Sequence, residues 1–579
     1  MSSQEEKGHA PSTPENEKPP AFEQGPGEVG HQARDDEDFY TRNGLNLKSF
    51  QRRPEASADI TETLDRTMKS RHLHMIAIGG SIGAGFFVGS GGALRTGGPG
   101  WVLIDFMIIG VMMFNTVYAL GELAVMYPVS GGFYTYSTRF IDPSWGFAMG
   151  WNYVMQWAVV LPLELTVCGV TVGYWEGVKD VSVAVWITVF LVFIIFINVF
   201  GTLGYAEEEF WSSCLKLGAT VIFMIIALVL VLGGGPKGSA YDSYSGAKLW
   251  YDPGAFANGF KGFCSIFVTA AFSFSGTELV GLAAAEARNP VKELPGAIKQ
   301  VFWRITLFYI LGLFFVGLLI PYTDPGLIGA PDQAYADANT SPFVLVGKYA
   351  NLKGFDSFMN VIILVSVVSI GVSAVYGGSR TLTALAQQGY APKVFSYIDR
   401  SGRPLYSVLF ILAFGPLAYV NLDADGPTVF NWLLALSGLA ALFTWGSICL
   451  AHIRFRKAWN RQGRSMDEIP FKAVGGVYGS YIGLGLNIMV LIAQLYVSIS
   501  PVGSDLNTAE GFFMSYLALP VVIVFWIGGF IWKRTGWLTI DKIDLDTGRR
   551  ALPWDEINEY RAQLAQMPAW KRLLHTVFV

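Results

Sequence analysis

The sequence predicts an all-α membrane protein with many transmembrane helices. Of its 579 residues, 52% are hydrophobic and only 15% are charged, whereas a soluble protein carries roughly 25% charged residues. The charges are concentrated at the two ends and in short clusters between long apolar runs. This alternation is typical of a polytopic membrane protein. The first apolar run begins near Leu73, too late and too long for a secretory signal peptide.

Twelve apolar segments have about the length of a transmembrane helix, and we number them span one to span twelve. Their predicted limits are 73–94, 101–126, 146–175, 183–203, 211–233, 261–285, 302–321, 357–385, 405–420, 429–451, 478–500 and 511–532. The membrane domain therefore covers 73–420 and 429–532.

Polar tails flank this domain. Residues 1–72 are expected to be largely disordered because they are rich in Glu, Pro, Gly, Ser and Asp. Residues 533–579 are expected to contain one short helix around 555–566. Loops on the side of the tails hold fourteen Lys and Arg residues, Arg304 among them, against six on the opposite side. The positive-inside rule then predicts that both tails are cytoplasmic.

Composition and motifs disfavour several other classes of protein. The net charge of −4 gives no basic field for nucleic acid. The four cysteines lie in apolar segments without close spacing, which argues against a disulfide framework or a metal site. No nucleotide-binding loop, zinc motif or hydrolase nucleophile motif is present. We therefore expect no enzyme activity, no cofactor and no metal.

Span one is rich in glycine, with seven glycines in AIGGSIGAGFFVGSGGAL (77–94). Each glycine inside a helix costs about 1 kcal/mol relative to alanine. One explanation is close helix packing of the small-xxx-small kind, which Gly85, Gly89 and Ala93 fit. The alternative is an interrupted helix whose freed backbone groups line a cavity and bind a ligand.

Span six contains a second candidate interruption. FSFSGTELVG (272–281) places Ser275, Gly276, Thr277 and Glu278 in the middle of an apolar segment. An ionisable residue at that depth usually marks a functional pathway. Spans one and six correspond if the first ten spans (73–451) form two five-span repeats of opposite topology, followed by spans eleven and twelve (478–532). Interruptions at matching positions of two repeats point to the central site of a secondary transporter.

The two breaks suit a particular class of ligand. The N-terminus of a half-helix attracts a carboxylate, and carbonyls released by the partner break accept hydrogen bonds from an ammonium group. Together they fit the zwitterion of an α-amino acid.

Several segments resemble fungal amino acid permeases of the amino acid–polyamine–organocation superfamily. The resemblance rests on GGSIGAGFFVGSGGAL, LGELAVMYPVSGGF, LPLELTVCGVTVGYW, AAFSFSGTELVGLAAAE, SRTLTALAQQGYAP, FNWLLALSGLAALFTWGSICLAHIRFRKA and IDKIDLDTGRR. Among these permeases, the sequence most resembles the general amino acid permeases. The resemblance implies proton-coupled uptake of amino acids of broad side-chain range at the plasma membrane.

The resemblance also implies substrate-binding residues. The substrate carboxylate is expected at Ser81, Ile82, Gly83, Ala84 and Gly85, where Ala84 replaces the threonine of many relatives. The ammonium group is expected at backbone groups between Phe272 and Gly276.

Six further residues are substrate-site candidates. Thr277 and Glu278 complete the polar run of span six, and Glu278 either compensates the ammonium group or is paired structurally. Glu164 borders the substrate cavity in the family, with packing as the alternative. Phe274, like Phe272, either covers the substrate or simply packs. Ser369 and Trp445 are further pathway candidates.

Three residues are candidates for proton coupling. Lys216 in span five either extends to the cytoplasmic interface or, as in bacterial relatives, carries a proton where sodium-coupled relatives bind sodium. Glu278 is the second candidate. Glu122 in span two belongs either to a gate or proton route, or is a buried hydrogen-bonded acid.

The tails and loops suggest modification sites and partners. Lys7 and Lys18 are candidate ubiquitin acceptors, which implies a ubiquitin ligase as a partner of the N-terminal tail. Asn339 in Asn339-Thr340-Ser341 is a candidate glycosylation site, with Pro342 directly after it. The other expected partners are amino acids, protons and membrane lipid. The alternative function is an amino acid sensor, or transceptor, that has a permease fold and signals with little or no net transport.

Overall fold

The structure is a computed structural model, and it describes residues 38–42, 44–52, 67–129, 131–178, 180–287, 289–327, 341–422, 426–549, 552 and 554–577. In this part of the chain the regular structure is helical, and β-type pairing is confined to two isolated bridges. The candidate ubiquitin acceptors Lys7 and Lys18 and the candidate glycosylation site Asn339 lie outside the described residues.

Long α-helices form most of the bundle. The α-helices are Phe39–Arg42, Ser70–Gly79, Ser90–Met126, Phe133–Phe140, Pro143–Val172, Val183–Val199, Gly201–Val231, Gly259–Phe274, Leu279–Ala283, Pro290–Trp303, Leu311–Leu319, Pro342–Tyr349, Phe355–Gln387, Leu405–Leu412, Gly426–Arg461, Gly476–Ile499, Ala509–Tyr516, Ala518–Lys533, Trp554–Gln566 and Ala569–Val577. Three π-helical turns are Gly85–Gly89, Trp250–Gly254 and Arg304–Ile310. Short 3-10 turns are Leu47–Phe50, Glu176–Val178, Ala284–Glu286, Lys393–Ser396, Gly415–Leu422, Met466–Glu468 and Ile540–Lys542.

Eight helical runs in the described part are long and apolar enough to cross a bilayer. They are Gly85–Met126, Pro143–Val172, Gly201–Val231, Gly259–Glu286, Pro290–Leu319, Phe355–Gln387, Trp432–Arg461 and Gly476–Ile499. Ala509–Tyr516 and Ala518–Lys533 meet at 65° and make a ninth if they form one span, while Val183–Val199 and Leu405–Val420 are shorter. The structure thus has a multi-pass helical architecture, and the exact count of twelve and the inverted repeat stay predictions.

The first of these runs contains a reversal at Gly98. A straight helix of 42 residues would be about 63 Å long, roughly twice the thickness of the hydrocarbon core. Gly98 has φ +78°, and Pro99 follows it. Phe86 and Phe106 both contact the ring of Tyr309. The chain therefore turns back at Gly98, so that spans one and two form a tight helical hairpin.

Both predicted interruptions are present. In span one, helix Ser70–Gly79 ends and the π-helical turn Gly85–Gly89 begins after five intervening residues; we call these residues, 80–84, break one. In span six, helix Gly259–Phe274 ends and helix Leu279–Ala283 follows; we call residues 275–278 break six. Gly276 in break six has φ +95°, a conformation that favours glycine.

The described parts of both tails pack at one end of the bundle, which we call the tail end. Arg403 donates a hydrogen bond to Ser49 Oγ (2.9 Å) and lies over the ring of Phe50 (4.1 Å). Tyr127, at the end of span two, donates to the carbonyl of Leu545 (2.7 Å). The C-terminal tail contains two helices, Trp554–Gln566 and Ala569–Val577.

One residue assigned to a loop lies inside the bundle. The helical run that contains span seven begins at Pro290, well before the predicted limit at 302. Arg304 consequently lies near its middle and is fully buried, so its assignment to a loop is wrong. Without it the Lys and Arg bias is thirteen to six, and the predicted orientation is unchanged.

Candidate functional site

Break one and break six lie against each other. A Cβ atom added to Gly276 would lie 3.3 Å from the carbonyl oxygen of Gly80 and 3.6 Å from Ser81 Cβ. Thr277 Oγ1 donates a long hydrogen bond to Ser81 Oγ (3.5 Å). At Gly85 a Cβ atom would lie 2.8 Å from Ser273 Cα. The two interrupted helices thus touch backbone to backbone, and this approach requires glycine.

The glycines of span one also pack against other spans. A Cβ atom on Gly79 would lie 2.0 Å from Ser213 Oγ, and one on Gly83 would lie 2.5 Å from Ile370 Cγ1. Each distance is too short for a side chain. The two explanations of the glycine-rich segment therefore apply together, because the glycines allow close packing and they flank a real interruption.

A small cavity of about 10 Å³ lies at the junction of the breaks. Its lining contains seven predicted substrate-site residues and three others: Ser81, Gly83, Ala84, Gly85, Glu164, Phe272 and Ser275, together with Trp157, Val160 and Ile370. In this conformation the cavity has room for about one water molecule, so the surrounding helices must separate before a larger ligand can bind.

Polar groups reach this cavity from spans one, three and six. Ser81 Oγ is 3.1 Å from the hydroxyl of Tyr309, and Ser275 Oγ accepts a hydrogen bond from Gln156 Nε2 (2.8 Å). Glu164 is 1% exposed, and its Oε2 atom has no hydrogen-bond partner among the described residues. An unpartnered carboxylate oxygen in a cavity wall can accept hydrogen bonds from a cationic group.

Glu278 is the last residue of break six, and its side chain lies outside the lining of the cavity. Its carboxylate accepts hydrogen bonds from the Tyr153 hydroxyl (3.0 Å), the Trp445 indole (3.1 Å) and the amide of Gly276 (3.3 Å). It is fully buried. The structure therefore brings Glu278 and Trp445 together, and they fix the conformation of Gly276 from behind.

Lys216 lies in helix Gly201–Val231, and its side chain is fully buried beside the C-terminal end of helix Ser70–Gly79. It therefore does not extend to the cytoplasmic membrane interface. Its ammonium group donates to Ser369 Oγ (2.9 Å) and to the carbonyl of Gly79 (3.4 Å), and it lies 3.5 Å from Glu209 Oε1. Glu209 also accepts hydrogen bonds from three hydroxyls, those of Ser213, Ser369 and Ser373. Ser369 thus belongs to the Lys216 network and does not line the cavity.

Glu122 lies toward the tail end in a buried cluster of charges. Arg456 Nη2 and the amide of Ala473 each donate to Glu122 Oε2 at 2.7 Å, and His452 Nε2 is 3.1 Å from Oε1. These contacts connect span two to span ten and to the segment before span eleven. Glu122 is therefore a paired, hydrogen-bonded acid.

Four further predicted residues lie in or directly beside the breaks without lining the cavity. Phe274 stacks on Tyr309 with ring centroids 4.3 Å apart. Ile82 is fully buried, and its amide donates to the carbonyl of Gly79. Thr277 and Gly276 contact break one from the side of span six.

Sequence reasoning missed two further groups. Arg304 in span seven contacts break six and the helix end before break one, and Tyr309 contacts break one and the helix end before break six. Glu286 forms an ion pair with Arg380 (3.1 Å), which lies in span eight. Charged or polar residues deep in an apolar segment were the available sign, but Arg304, two residues after the predicted start of span seven, was counted with the preceding loop.

Comparison with known proteins decides the family. The amino acid permease family matches residues 72–542. The chain belongs to the amino acid permease family. It is therefore a multi-pass membrane transporter for amino acids and not an enzyme.

Curated fungal relatives align over most of this chain. An amino-acid permease of Hypocrea atroviridis is 69% identical over 94% of this chain and 94% of its own length. A general amino-acid permease of Saccharomyces cerevisiae is 52% identical, covering 88% of this permease and 85% of the relative. A cationic amino acid transporter of Schizosaccharomyces pombe is 51% identical, with 85% and 83% covered.

Proposed function

We propose that this permease imports amino acids of broad side-chain range across the plasma membrane by proton symport with alternating access. The observation that supports it best is the cavity at the junction of break one and break six. The ends of two half-helices meet there and present partial charges of both signs, which match the two charges of a bound zwitterion.

The substrate would be held by its backbone groups. Helical structure resumes after break one, so amides near Gly83 and Gly85 form the positive end of a half-helix, which favours a carboxylate. Helix Gly259–Phe274 ends at the cavity, and its last carbonyls form a negative end that favours an ammonium group. These two helix ends would bind the carboxylate and the ammonium group, which all α-amino acids share.

The side-chain range follows from the remaining wall. Trp157, Val160, Ile370 and Phe272 offer mainly apolar surface, which discriminates weakly between similar side chains. Glu164 is the acidic residue of the lining. We infer that it favours cationic side chains, so the substrate panel must include lysine and arginine beside neutral and acidic amino acids.

Proton coupling would involve Lys216 and Glu209. Protonated Lys216 compensates Glu209 and holds the end of helix Ser70–Gly79. When Lys216 loses its proton, the three serine hydroxyls still satisfy Glu209, while the helix end loses its cation. Protonation would thereby bias the position of helix Ser70–Gly79 beside break one, with protons as the only coupling species.

The membrane potential would drive import. Each charge that enters with the substrate gains about 2.3 kcal/mol per 100 mV. This direction requires the tail end to be cytoplasmic, as the positive-inside rule predicts. Lys7 and Lys18 would then be accessible to a cytoplasmic ubiquitin ligase, and membrane lipid would surround the helical bundle.

Uptake of labelled amino acids tests the proposal. Cells that lack their own permeases would express this chain, and uptake would be measured at acidic and neutral external pH with and without a protonophore. We expect accumulation of several side-chain classes, higher at acidic pH and abolished by the protonophore.

Matched variants separate coupling from binding. Lys216→Ala should reduce pH-dependent accumulation, whereas Lys261→Ala, whose ammonium group contacts the carbonyls of Pro501 and Ser504 instead, should not. Accumulation that persists in the presence of the protonophore would contradict symport. Binding without accumulation, despite surface expression, would favour the sensor.

A further inference from the structure

Arg304 is a fully buried cation that connects the two interrupted helices. Its Nη1 atom donates to the carbonyl of Ala77 (2.6 Å), in the last turn of helix Ser70–Gly79. Its Nη2 atom donates to Thr277 Oγ1 in break six. One planar guanidinium thus holds span one with one nitrogen and span six with the other.

No carboxylate lies within ion-pair distance of Arg304 among the residues that the structure describes. The end of helix Ser70–Gly79 supplies the compensation, since the last carbonyls of a helix carry partial negative charge. Lys216 contacts the same helix end through the carbonyl of Gly79.

Tyr309 makes the same kind of connection one helical turn away. Its hydroxyl donates to the carbonyl of Ser273 (2.7 Å) and lies 3.2 Å from the carbonyl of Ser81. Ser81 is four residues after Ala77, and Ser273 is four residues before Thr277. From Arg304 to Tyr309, the contacts therefore advance four residues along span one, from Ala77 to Ser81. Over the same step they move back four residues along span six, from Thr277 to Ser273.

The π-helical turn Arg304–Ile310 explains how span seven presents both side chains to the breaks. In an α-helix, residues five apart point about 140° away from each other. A π-helical turn pairs residue i with residue i+5, as the amide of Leu311 does here with the carbonyl of Thr306. The wider turn brings Arg304 and Tyr309 onto one face.

We propose that Arg304 and Tyr309 are positioning residues that act as a two-point clamp from span seven. They hold break one against break six, and they keep the tail-end half of span one on span six until the site opens toward the tail end. The proposal rests on the proposed function, because the clamp matters for transport only if the breaks form the substrate site.

The main test measures the closure of the tail end without any substrate. A cysteine is introduced by Ala283→Cys, at a fully buried position in the tail-end half of span six. The exposed native Cys214 is replaced by serine. Labelling by N-ethylmaleimide in membranes is then compared with and without Arg304→Gln, Arg304→Lys and Tyr309→Phe.

We expect Arg304→Gln and Arg304→Lys to raise the labelling rate about tenfold, which is the size of change that one charge-assisted hydrogen bond produces in an equilibrium. Lysine keeps the positive charge but lacks the planar guanidinium, which can donate to both helices from two nitrogens at once. Tyr309→Phe, which keeps the ring stacked on Phe274, should raise it by a smaller factor. The rate constant for labelled leucine uptake, Vmax/KM, should fall in parallel.

Two controls remove comparable hydrogen bonds elsewhere. Arg454→Gln removes a guanidinium that donates to the carbonyls of Phe140 and Leu538, and Tyr241→Phe removes a hydroxyl that donates to the carbonyl of Leu319. Both should leave the labelling of the introduced cysteine unchanged.

Unchanged labelling in Arg304→Gln and Tyr309→Phe would overturn the clamp, as would full rescue by Arg304→Lys, since charge alone would then suffice. If Arg304→Gln does not reach the surface, Tyr309→Phe alone decides. Since labelling requires no substrate, a clamp that is present in a protein without uptake would refute the proposed function and leave the clamp supported.

Discussion

Gly85→Ala is the sharpest test of how the two breaks fit together. The added Cβ atom would lie 2.8 Å from Phe272 Cδ1, 2.8 Å from Ser273 Cα and 2.9 Å from Ser273 N. Two of these three atoms are backbone, so a change of side-chain rotamer cannot relieve the overlap. The breaks must move apart.

The free-energy cost combines two opposing effects. Overpacking in a closely packed interior costs about 1–3 kcal/mol, and the backbone contacts place this site near the upper value. Alanine regains up to about 1 kcal/mol of the helical penalty of glycine. The net cost is about 2 kcal/mol, which corresponds to a decrease of about 30-fold in Vmax/KM for uptake at equal surface expression.

Gly83→Ala is the matched control, because its nearest contact is the flexible side chain of Ile370 at 2.5 Å, and Ile370 Cβ is at 3.5 Å. Ile370→Ala should therefore suppress the effect of Gly83→Ala, measured relative to Ile370→Ala alone. Phe272→Ala should not suppress the effect of Gly85→Ala. Uptake by Gly85→Ala at the wild-type rate, or its full rescue by Phe272→Ala, would refute the reasoning.

Three further outcomes follow from the buried contacts. Glu122→Ala leaves Arg456 buried and unpaired and should destabilise the purified protein by about 3–5 kcal/mol, seen as a large fall in Tm; Glu510→Ala, at an exposed position, should change Tm little. Glu164→Gln should lower uptake of lysine relative to leucine, and an unchanged ratio would exclude a role for Glu164 in selectivity. Trp445→Phe removes one donor to the Glu278 carboxylate, so Vmax/KM should fall about tenfold or more; unchanged kinetics would show that this hydrogen bond does not position break six.

Much of the architecture was predictable because apolar segments of membrane length are visible in any sequence. The interruptions were predictable for a related reason: Gly276 and Glu278 are costly inside a span and persist only where the backbone departs from a helix. Boundaries were harder. Span seven is preceded by an amphipathic stretch from Pro290, so its start was predicted at 302 and Arg304, close to that start, was counted with the loop.

The contents of the site were partly predictable. Seven of the expected substrate residues line one cavity because they lie at the breaks themselves or, for Glu164, on the wall that faces them. Ser369 was assigned to the same pathway, but its partner depends on how spans five and eight pack, and it lies with Lys216 and Glu209. The contacts of Tyr309 were not predictable, since a tyrosine in an apolar span usually packs, and nothing local shows that two free carbonyls lie beside it.

The hairpin turn at Gly98 has a mechanical consequence for span one. No flexible loop separates spans one and two there, and the amide of Gly100 is anchored to the carbonyl of Ala255 (2.7 Å). The half of span one beyond break one therefore moves as one lever with span two. The tail-end half is fastened elsewhere, through Lys216 and Ser213 to span five. Break one is thus the joint between two levers, and a change of angle there breaks no regular helix, because the helix is already interrupted between Gly79 and Gly85.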